Sequence, residues 1–287
     1  MKQIAVVSGK GGTGKSSLVL AFASLAKNAV IADCDVDASN LHIILNPSTL
    51  DTKDFIGSQI AKIDKSKCTH CLECFINCKF SAISKDISVI DSLCEGCGVC
   101  LFVCPANAIQ MNDKISGYTY VSKTRLGPLV YAYLKPGAES SGKLVNEVRK
   151  NAIDISIKNN KDLIIIDGPP GIGCPVISTI TGINLAIIVT EPTFSAIHDL
   201  ERVIEVNKHF GVKSVVCINK SDINKDNTLI IKDYCNRNNI IIVGELPYDS
   251  VVNSAIVSRK TLIEFQDSYF SFKIREIWEK IMEVIKE

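Results

Sequence analysis

The stretch Gly9-Lys10-Gly11-Gly12-Thr13-Gly14-Lys15-Ser16 limits what this chain can fold into more than any other. An apolar run, Ile4-Ala5-Val6-Val7, precedes it and has the character of a buried strand. Ser17-Leu18-Val19-Leu20-Ala21-Phe22-Ala23 follows it and reads as a helix. Gly-x-x-x-x-Gly-Lys-Ser between a strand and a helix is the signature of a phosphate-binding loop. Its glycines let the backbone curl until successive N–H groups point at one anion. The helix N-terminus adds partial positive charge at the same point. The expected nucleotide-binding set is therefore Gly11, Gly12, Thr13, Gly14, Lys15, Ser16 and Ser17. Lys15 would reach the outer phosphates, and the Ser16 hydroxyl would ligate magnesium.

The twelve cysteines are a second constraint. A disulfide framework belongs to small secreted domains, and nothing in the sequence has that character. Eight of the twelve form two runs, Cys68-x-x-Cys71-x-x-Cys74-x-x-x-Cys78 and Cys94-x-x-Cys97-x-x-Cys100-x-x-x-Cys104-Pro105. The second run is the bacterial ferredoxin pattern in full, whereas the first has Lys79 in place of the proline. Together they form an internal repeat at one constant offset, which continues into Ala82-Ile83 and Ala108-Ile109. In such pairs the fourth cysteine of each run ligates the other cluster. One [4Fe–4S] centre is thus expected on Cys68, Cys71, Cys74 and Cys104, and another on Cys94, Cys97, Cys100 and Cys78. Zinc is the rival, since Cys-x-x-Cys pairs also suit a tetrahedral ion, but zinc pairs usually come as separated doublets. His70 reads as a solvated neighbour, because the cysteine count is already complete.

A second buried strand, Ala29 to Asp33, runs into Asp33-Cys34-Asp35-Val36-Asp37. Carboxylates at a strand end beside a phosphate loop suit magnesium and water positioning. Asp37 is the weaker candidate, since a solvated acidic loop explains it, and Cys34 reads as packed. Pro47-Ser48-Thr49 reads as a turn and Ile56 to Ile63 as a short strand. Gly117 to Val121 and Leu129 to Leu134 read as hairpin strands joined at Gly127-Pro128. A helix from Leu144 to about Lys158 opens at Ser140-Ser141-Gly142-Lys143, with the serines as caps. The alternative is that Ser141 or Lys143 faces a ligand. Asp162 to Asp167 is another buried strand ending in a carboxylate, and Gly168-Pro169-Pro170-Gly171 reads as a loop with few conformations.

Strand 184–190, helix 195–210, strand 213–219, helix 226–237, strand 240–246 and a helix from 268 complete the pattern. Such alternation means a mostly parallel sheet covered by helices, with ligand loops at the strands' C-terminal ends. Glu191-Pro192-Thr193, Asn219-Lys220 and Leu246-Pro247-Tyr248-Asp249 fall there, while Cys217 and Cys235 read as core. Ile274, Ile277, Trp278, Ile281 and Ile285 give the last helix an apolar face.

Lys10 within Lys-Gly-Gly-Thr-Gly-Lys-Ser resembles the deviant Walker A motif of the MinD/ParA-type ATPases, which include the nitrogenase iron protein and the Mrp-type ATPases. The resemblance extends over essentially the whole chain, to members containing an inserted two-cluster ferredoxin domain. It implies an α/β P-loop NTPase of residues 1–59 and 113–287 interrupted by a ferredoxin domain of residues 60–112. It implies that Lys10 reaches a partner's nucleotide across a dimer, that Asp35 orients the attacking water, and that Asp33 lies behind it near the metal. Asp167 becomes the Walker B carboxylate holding magnesium, and Asn219 and the loop around Pro247 contact adenine. Cys174 lies where the iron protein has a cluster-bridging cysteine, but that protein's second cysteine has no counterpart, so Cys174 reads as packed. The MinD branch uses a C-terminal amphipathic segment on membranes; packing on the sheet is simpler here.

A net charge of +1 on 287 residues leaves no electrostatic footprint for nucleic acid. No apolar run approaches a membrane span, and the N-terminus enters a strand at once, so no transmembrane segment or signal peptide is expected and the location is cytoplasmic. The expected function is slow, partner-stimulated ATP hydrolysis coupled to electron transfer or metallocluster maturation, using ATP, Mg2+ and two [4Fe–4S] clusters. Expected partners are a second copy or a related ATPase in a nucleotide-dependent dimer, and an unidentified redox or cluster-accepting protein. Two alternatives stay open: a cluster assembly or carrier ATPase without redox cycling, and a MinD-like spatial regulator with structural clusters.

Overall fold

Strands that are apolar at every position can only sit with both faces covered. The computed structural model, which describes residues 1–138 and 141–286, builds its centre from such strands. In chain order the elements are β1 (Lys2–Ser8), α1 (Lys15–Leu25), β2 (Ala29–Asp33), α2 (Leu41–Leu45), β3 (Ser48–Ile63), α3 (Glu73–Ile76), a 3-10 turn (Asp91–Leu93) and α4 (Val99–Phe102). Then follow β4 (Ile109–Thr124), β5 (Gly127–Leu134), α5 (Ser141–Lys158), β6 (Leu163–Pro170), α6 (Cys174–Ile180), β7 (Leu185–Thr190) and α7 (Phe194–His209). The chain ends with β8 (Ser214–Ile218), α8 (Lys225–Arg237), β9 (Ile241–Glu245), α9 (Val251–Val257), α10 (Leu262–Phe265) and α11 (Tyr269–Val284).

Two compact units result. The first comprises Met1–Thr52, Thr119–Tyr133 and Ser141–Glu287, and the second Lys53–Tyr118 and Leu134–Ser140. Residues 60–112 lie wholly inside the second. The strand order is β3-β4-β5-β2-β6-β1-β7-β8-β9. The pairs from β5 to β9 in this order are parallel, with β1 between β6 and β7. Ile4, Val6, Ile31, Ile165 and Ile187 are fully buried between the helical layers. Parallel strands all end on one side, so the turns after β1, β2, β6, β7 and β8 gather at one rim.

The C-terminal helix settles onto this sheet. Phe270, Ile274, Ile277, Trp278 and Ile281 of α11 are buried, and Trp278 stacks on Phe22 of α1 at 5.4 Å. Lys2 and Lys213 donate to the carbonyls of Ile285 and Val284 at 2.8 and 3.0 Å. Cations on a helix C-terminus satisfy its orphan acceptors and oppose its dipole. Among the described residues no helix is long and apolar enough to cross a membrane.

Several expectations about local structure change. The turn expected at Pro47-Ser48-Thr49 is instead the start of β3, which runs sixteen residues rather than eight. Its first seven residues are all exposed, so no inward-facing alternation marks them as strand. The β4–β5 turn falls at Arg125-Leu126, not Gly127-Pro128. There the Thr124 hydroxyl accepts from the Leu126 amide at 3.1 Å and donates to the Gly127 carbonyl at 2.7 Å. Gly168, Pro169 and Pro170 continue β6 instead of forming a loop. The caps expected for α5 fall on Ser140 and the Ser141 side chain, which lie outside what is described; Lys143 is exposed.

Phe22 is wholly buried and its stacking partner joins α1 to α11. Phe22→Ala should cost about 3–5 kcal/mol of unfolding free energy, seen as a lower denaturant midpoint at unchanged slope.

Candidate functional site

The turn after β1 is shaped by positive backbone angles. Gly12 and Gly14 have φ of +80° and +94°, and Gly14 caps α1. A Cβ on Gly14 would also lie 2.5 Å from Asn219 Nδ2, so both conformation and space demand glycine there. The loop is braced from the end of β8. Asn219 Nδ2 donates to the Thr13 carbonyl at 2.8 Å, and Lys220 Nζ donates to the Gly12 carbonyl at 3.0 Å. With carbonyls turned outward, the loop amides are left for an anion.

A cleft of about 690 Å³ opens over this loop. Gly11, Gly12, Gly14, Lys15, Ser16 and Ser17 line it, together with Asp35, Asn219 and Pro247. Thr13 does not; it is buried, and its hydroxyl has no hydrogen-bond partner among the described residues. Asp37, Pro169, Pro170, Lys220, Tyr248 and Asp249 also contribute. Of these, Tyr248 and Asp249 follow β9 and had only their strand-end position to mark them.

Two carboxylates lie beneath. Asp33 and Asp167 are directly paired in the parallel register of β2 and β6, and both are buried. Asp33 is saturated: it accepts from the Ser39 hydroxyl at 2.8 Å, from the Asn40 and Leu41 amides at 3.2 Å each, and from the Asp35 amide at 3.3 Å. It thus serves as the anchor of the 34–40 loop. Burial raises its pKa to about 6, against those hydrogen bonds. Asp167 is the opposite case, since neither oxygen has a hydrogen-bond partner among the described residues. Burial, then the charge of Asp33, push it up to about 8, with Ser16 and Lys15 pulling the other way. A fully buried carboxyl with unsatisfied oxygens beside the Ser16 turn fits a cation there. Asp35 is half-buried; desolvation raises its pKa and Lys15 opposes this.

Lys10 is not among the residues that line the cleft. Its Nζ lies 2.8 Å from Glu191 Oε1, and it donates to Thr193 Oγ1 at 2.9 Å and Ser195 Oγ at 3.3 Å, all in its own chain. Glu191 was visible in sequence only as a residue at a strand end. Cys34, Cys217 and Cys235 are buried, as expected, whereas Cys174 is exposed at the start of α6 rather than packed.

In the second unit the cysteine repeat is also a backbone repeat. His70 and Gly96, Leu72 and Gly98, and Ser81 and Asn107 occupy equivalent places in the two halves, and all six have positive φ. The Ala82 and Ala108 amides donate to Cys78 and Cys104 Sγ, both at 3.3 Å. One small cavity is lined by Cys68, Cys71, Cys74 and Cys104. A second is lined by Cys78, Cys94, Cys97 and Cys100. Each takes three cysteines from one run and the fourth from the other. Among the described residues, no three His, Cys, Asp or Glu side chains converge to hold a single metal ion. His70 is exposed, its amide donating to Cys68 Sγ at 3.4 Å.

Residues 4–262 match the CobQ/CobB/MinD/ParA nucleotide binding domain. The chain belongs to this family. It is a MinD/ParA-superfamily P-loop ATPase with the α/β fold of that group. It is 35% identical over 286 residues to an uncharacterised protein of Methanocaldococcus jannaschii, covering 99% of this chain and 97% of that one. The septum site-determining protein MinD of Pyrococcus horikoshii, solved in complex with Mg-ADP, superposes with a TM-score of 0.58 at 18% identity, over 98% of this chain and 95% of that one. A shorter match, 39% identical over 52 residues, is to pyruvate synthase subunit PorD of Methanothermobacter marburgensis, covering 18% of this chain and 64% of that one.

Because Asp33 and Asp167 titrate above the ordinary aspartate value, the folded ATPase holds protons that the unfolded chain has released. Its metal-free stability should therefore fall as pH rises from about 4 to about 8. Asp167→Asn should flatten that slope and be about 1–3 kcal/mol more stable than the parent at the alkaline end. Urea midpoints at pH 6 and 8 test this; parallel slopes would assign the pH dependence to other groups.

Proposed function

We propose that this ATPase binds and hydrolyses ATP with magnesium, and couples its nucleotide state to electron transfer or iron–sulfur cluster maturation through two [4Fe–4S] clusters on its second unit. The observation that carries the cluster half is the crossed lining of the two cysteine cavities. That arrangement surrounds a space with four thiols instead of a point, which suits a cubane better than one zinc ion. Amides donating to Cys78 and Cys104 Sγ supply the hydrogen bonding that such sulfurs use to tune potential. The 52-residue similarity to a pyruvate synthase subunit is close in length to residues 60–112, the proposed insertion into an ATPase domain of 1–59 and 113–287.

In the nucleotide site, the loop amides from Gly11 to Ser17 and the Lys15 ammonium would neutralise charge on the phosphates. Asp35, half-buried on the cleft wall, would orient the attacking water. Ser16 and Asp167 would hold magnesium, which neutralises charge developing between the outer phosphates. Asn219, which braces the loop, and Pro247 both line the cleft and would meet the base. Lys10, as the deviant Walker A lysine, would serve the nucleotide of a second copy or a related ATPase in an ATP-dependent dimer. When loaded, the clusters supply one-electron transfer.

A spatial regulator with structural clusters is the second reading, favoured by the full-length likeness to MinD. A carrier ATPase is a variant of the first. Following iron content and cluster redox state during incubation with an oxidised or an apo acceptor separates them: a donor keeps its clusters and cycles them, a carrier loses them, and a regulator does neither.

Anaerobically isolated protein should contain about eight iron per chain. Cys78→Ser should disrupt the centre held by Cys94, Cys97 and Cys100 and spare the one held by Cys68, Cys71 and Cys74. Stoichiometric zinc in place of iron would sink the cluster assignment, and loss confined to the Cys68 centre would reverse it.

Asp35→Ala should retain ATP affinity within a few-fold and lose about 10²-fold or more in turnover. Unchanged turnover would move water positioning elsewhere, with Asp37 next to be tested.

A further inference from the structure

Glu191 stands immediately after β7 and divides its two oxygens between two lysines. Oε1 lies 2.8 Å from Lys10 Nζ, and Oε2 lies 2.8 Å from Lys220 Nζ. Both lysines belong to the phosphate loop's surroundings. Lys10 is in the loop itself, and Lys220 also donates to the Gly12 carbonyl. The Glu191 side chain is only 13% exposed, so these contacts are shielded from water more than an ordinary surface ion pair. Burial acts to raise its pKa, yet its two cationic partners hold it below the usual carboxylate range. It is therefore an anion at neutral pH.

The rest of the socket comes from the start of α7. Thr193 Oγ1 accepts from Lys10 and from the Ala196 amide, so a helix cap and the lysine share one oxygen. Ser195 Oγ supplies a third acceptor. An ammonium has three donors, and here Glu191, Thr193 and Ser195 are available for all three. Lys10 is thus fully employed inside its own chain, on residues more than 180 positions away. It contributes nothing to the lining of the cleft, although its neighbour Gly11 does.

We propose that Glu191 is a positioning residue that keeps Lys10 in its own chain until bound phosphate draws it off, and so sets the threshold for nucleotide engagement. The inference rests on the nucleotide reading above. Its physical basis is competition between anions. A carboxylate beside the loop and a polyphosphate in it seek the same ammonium groups. Whatever Lys10 gains from phosphate, in its own chain or in a partner, is reduced by what it gives up at Glu191, Thr193 and Ser195. The same carboxylate lowers the positive potential over the loop by partly neutralising Lys220. Removing that charge, with shape retained, should make the site more attractive to anions. This is the reverse of what a purely structural brace would do.

The test is ATP binding with magnesium by calorimetry on the full-length chain, at fixed ionic strength, for the parent, Glu191→Gln, Lys10→Ala and the double variant. Glu191→Gln should bind ATP about five- to tenfold more tightly, within the usual range of coupling between sites. Glu191→Asp should fall nearer the parent. In the Lys10→Ala background the gain from Glu191→Gln should shrink by half or more, since only the Lys220 part remains. Ser195→Ala removes an exposed member of the socket and should give a smaller gain in the same direction; it keeps the test open if Glu191→Gln does not fold. Weaker or unchanged binding by both Glu191→Gln and Ser195→Ala would overturn the proposal. So would a gain from Glu191→Gln of equal size with and without Lys10. Failure of the parent chain to bind ATP would overturn the nucleotide reading, and this inference with it.

Discussion

Two buried carboxylates, side by side at the ends of neighbouring strands, are the constraint on which the nucleotide-binding unit turns. Register places Asp33 directly opposite Asp167, and neither can be solvated. Burying like charges together is costly unless each finds its own compensation. Asp33 finds it in protein: four donors from residues 35–41 converge on it, which fixes the path of the loop that carries Asp35. Asp167 has less: Ser16 and Lys15 favour its charged form but do not outweigh burial and the charge of Asp33. The 34–40 loop, the phosphate loop and the end of β6 are thereby tied into one electrostatic problem, in which Lys15 acts on both Asp35 and Asp167. Even the backbone joins in, since the Cys34 amide donates to the Asp167 carbonyl at 2.8 Å.

The second unit is organised differently. Its core is small, and cysteines make up much of what packs around Ala61, Ile83, Ile87 and Ile109. A core this thin gains little from apolar burial, and such domains usually rely on covalent or metal cross-links. The pattern of positive φ is doubled with the cysteine runs, and His70, Leu72 and Ser81 bear side chains at such angles, which are held only where the surrounding structure fixes them.

What was legible in sequence was local. The phosphate loop, the cysteine runs and the alternation of strands and helices each declare themselves within a short window, and the α/β architecture follows from them. What was not legible was either too short or too distant. Helices α2, α9 and α10 have five, seven and four residues, too few for a helical period to show. The opening of β3 has no buried face to alternate. Gly127-Pro128 looks like a turn, but the turn that the Thr124 hydroxyl braces lies two residues earlier in the chain. At the candidate site, Lys10 and Glu191 lie far apart in the chain, and no spacing rule connects them; a glutamate in Glu-Pro-Thr after a buried strand was the only available sign. The contacts that Lys10 makes within its own chain, to Glu191, Thr193 and Ser195, could not be read from any local pattern.

The crossing of cysteines between the two runs has a consequence for how the chain is made. A polypeptide leaves the ribosome N-terminus first, and its domains fold as they emerge. Cys68, Cys71 and Cys74 appear early, but the fourth wall of their cavity, Cys104, comes last of the eight. Cys78, made early, belongs to the cavity that the second run opens. Neither cavity can therefore be closed while only the first run has emerged. A chain that stalls between the runs carries four of the eight thiols and completes neither cavity, so both linings are finished only as the second run is made.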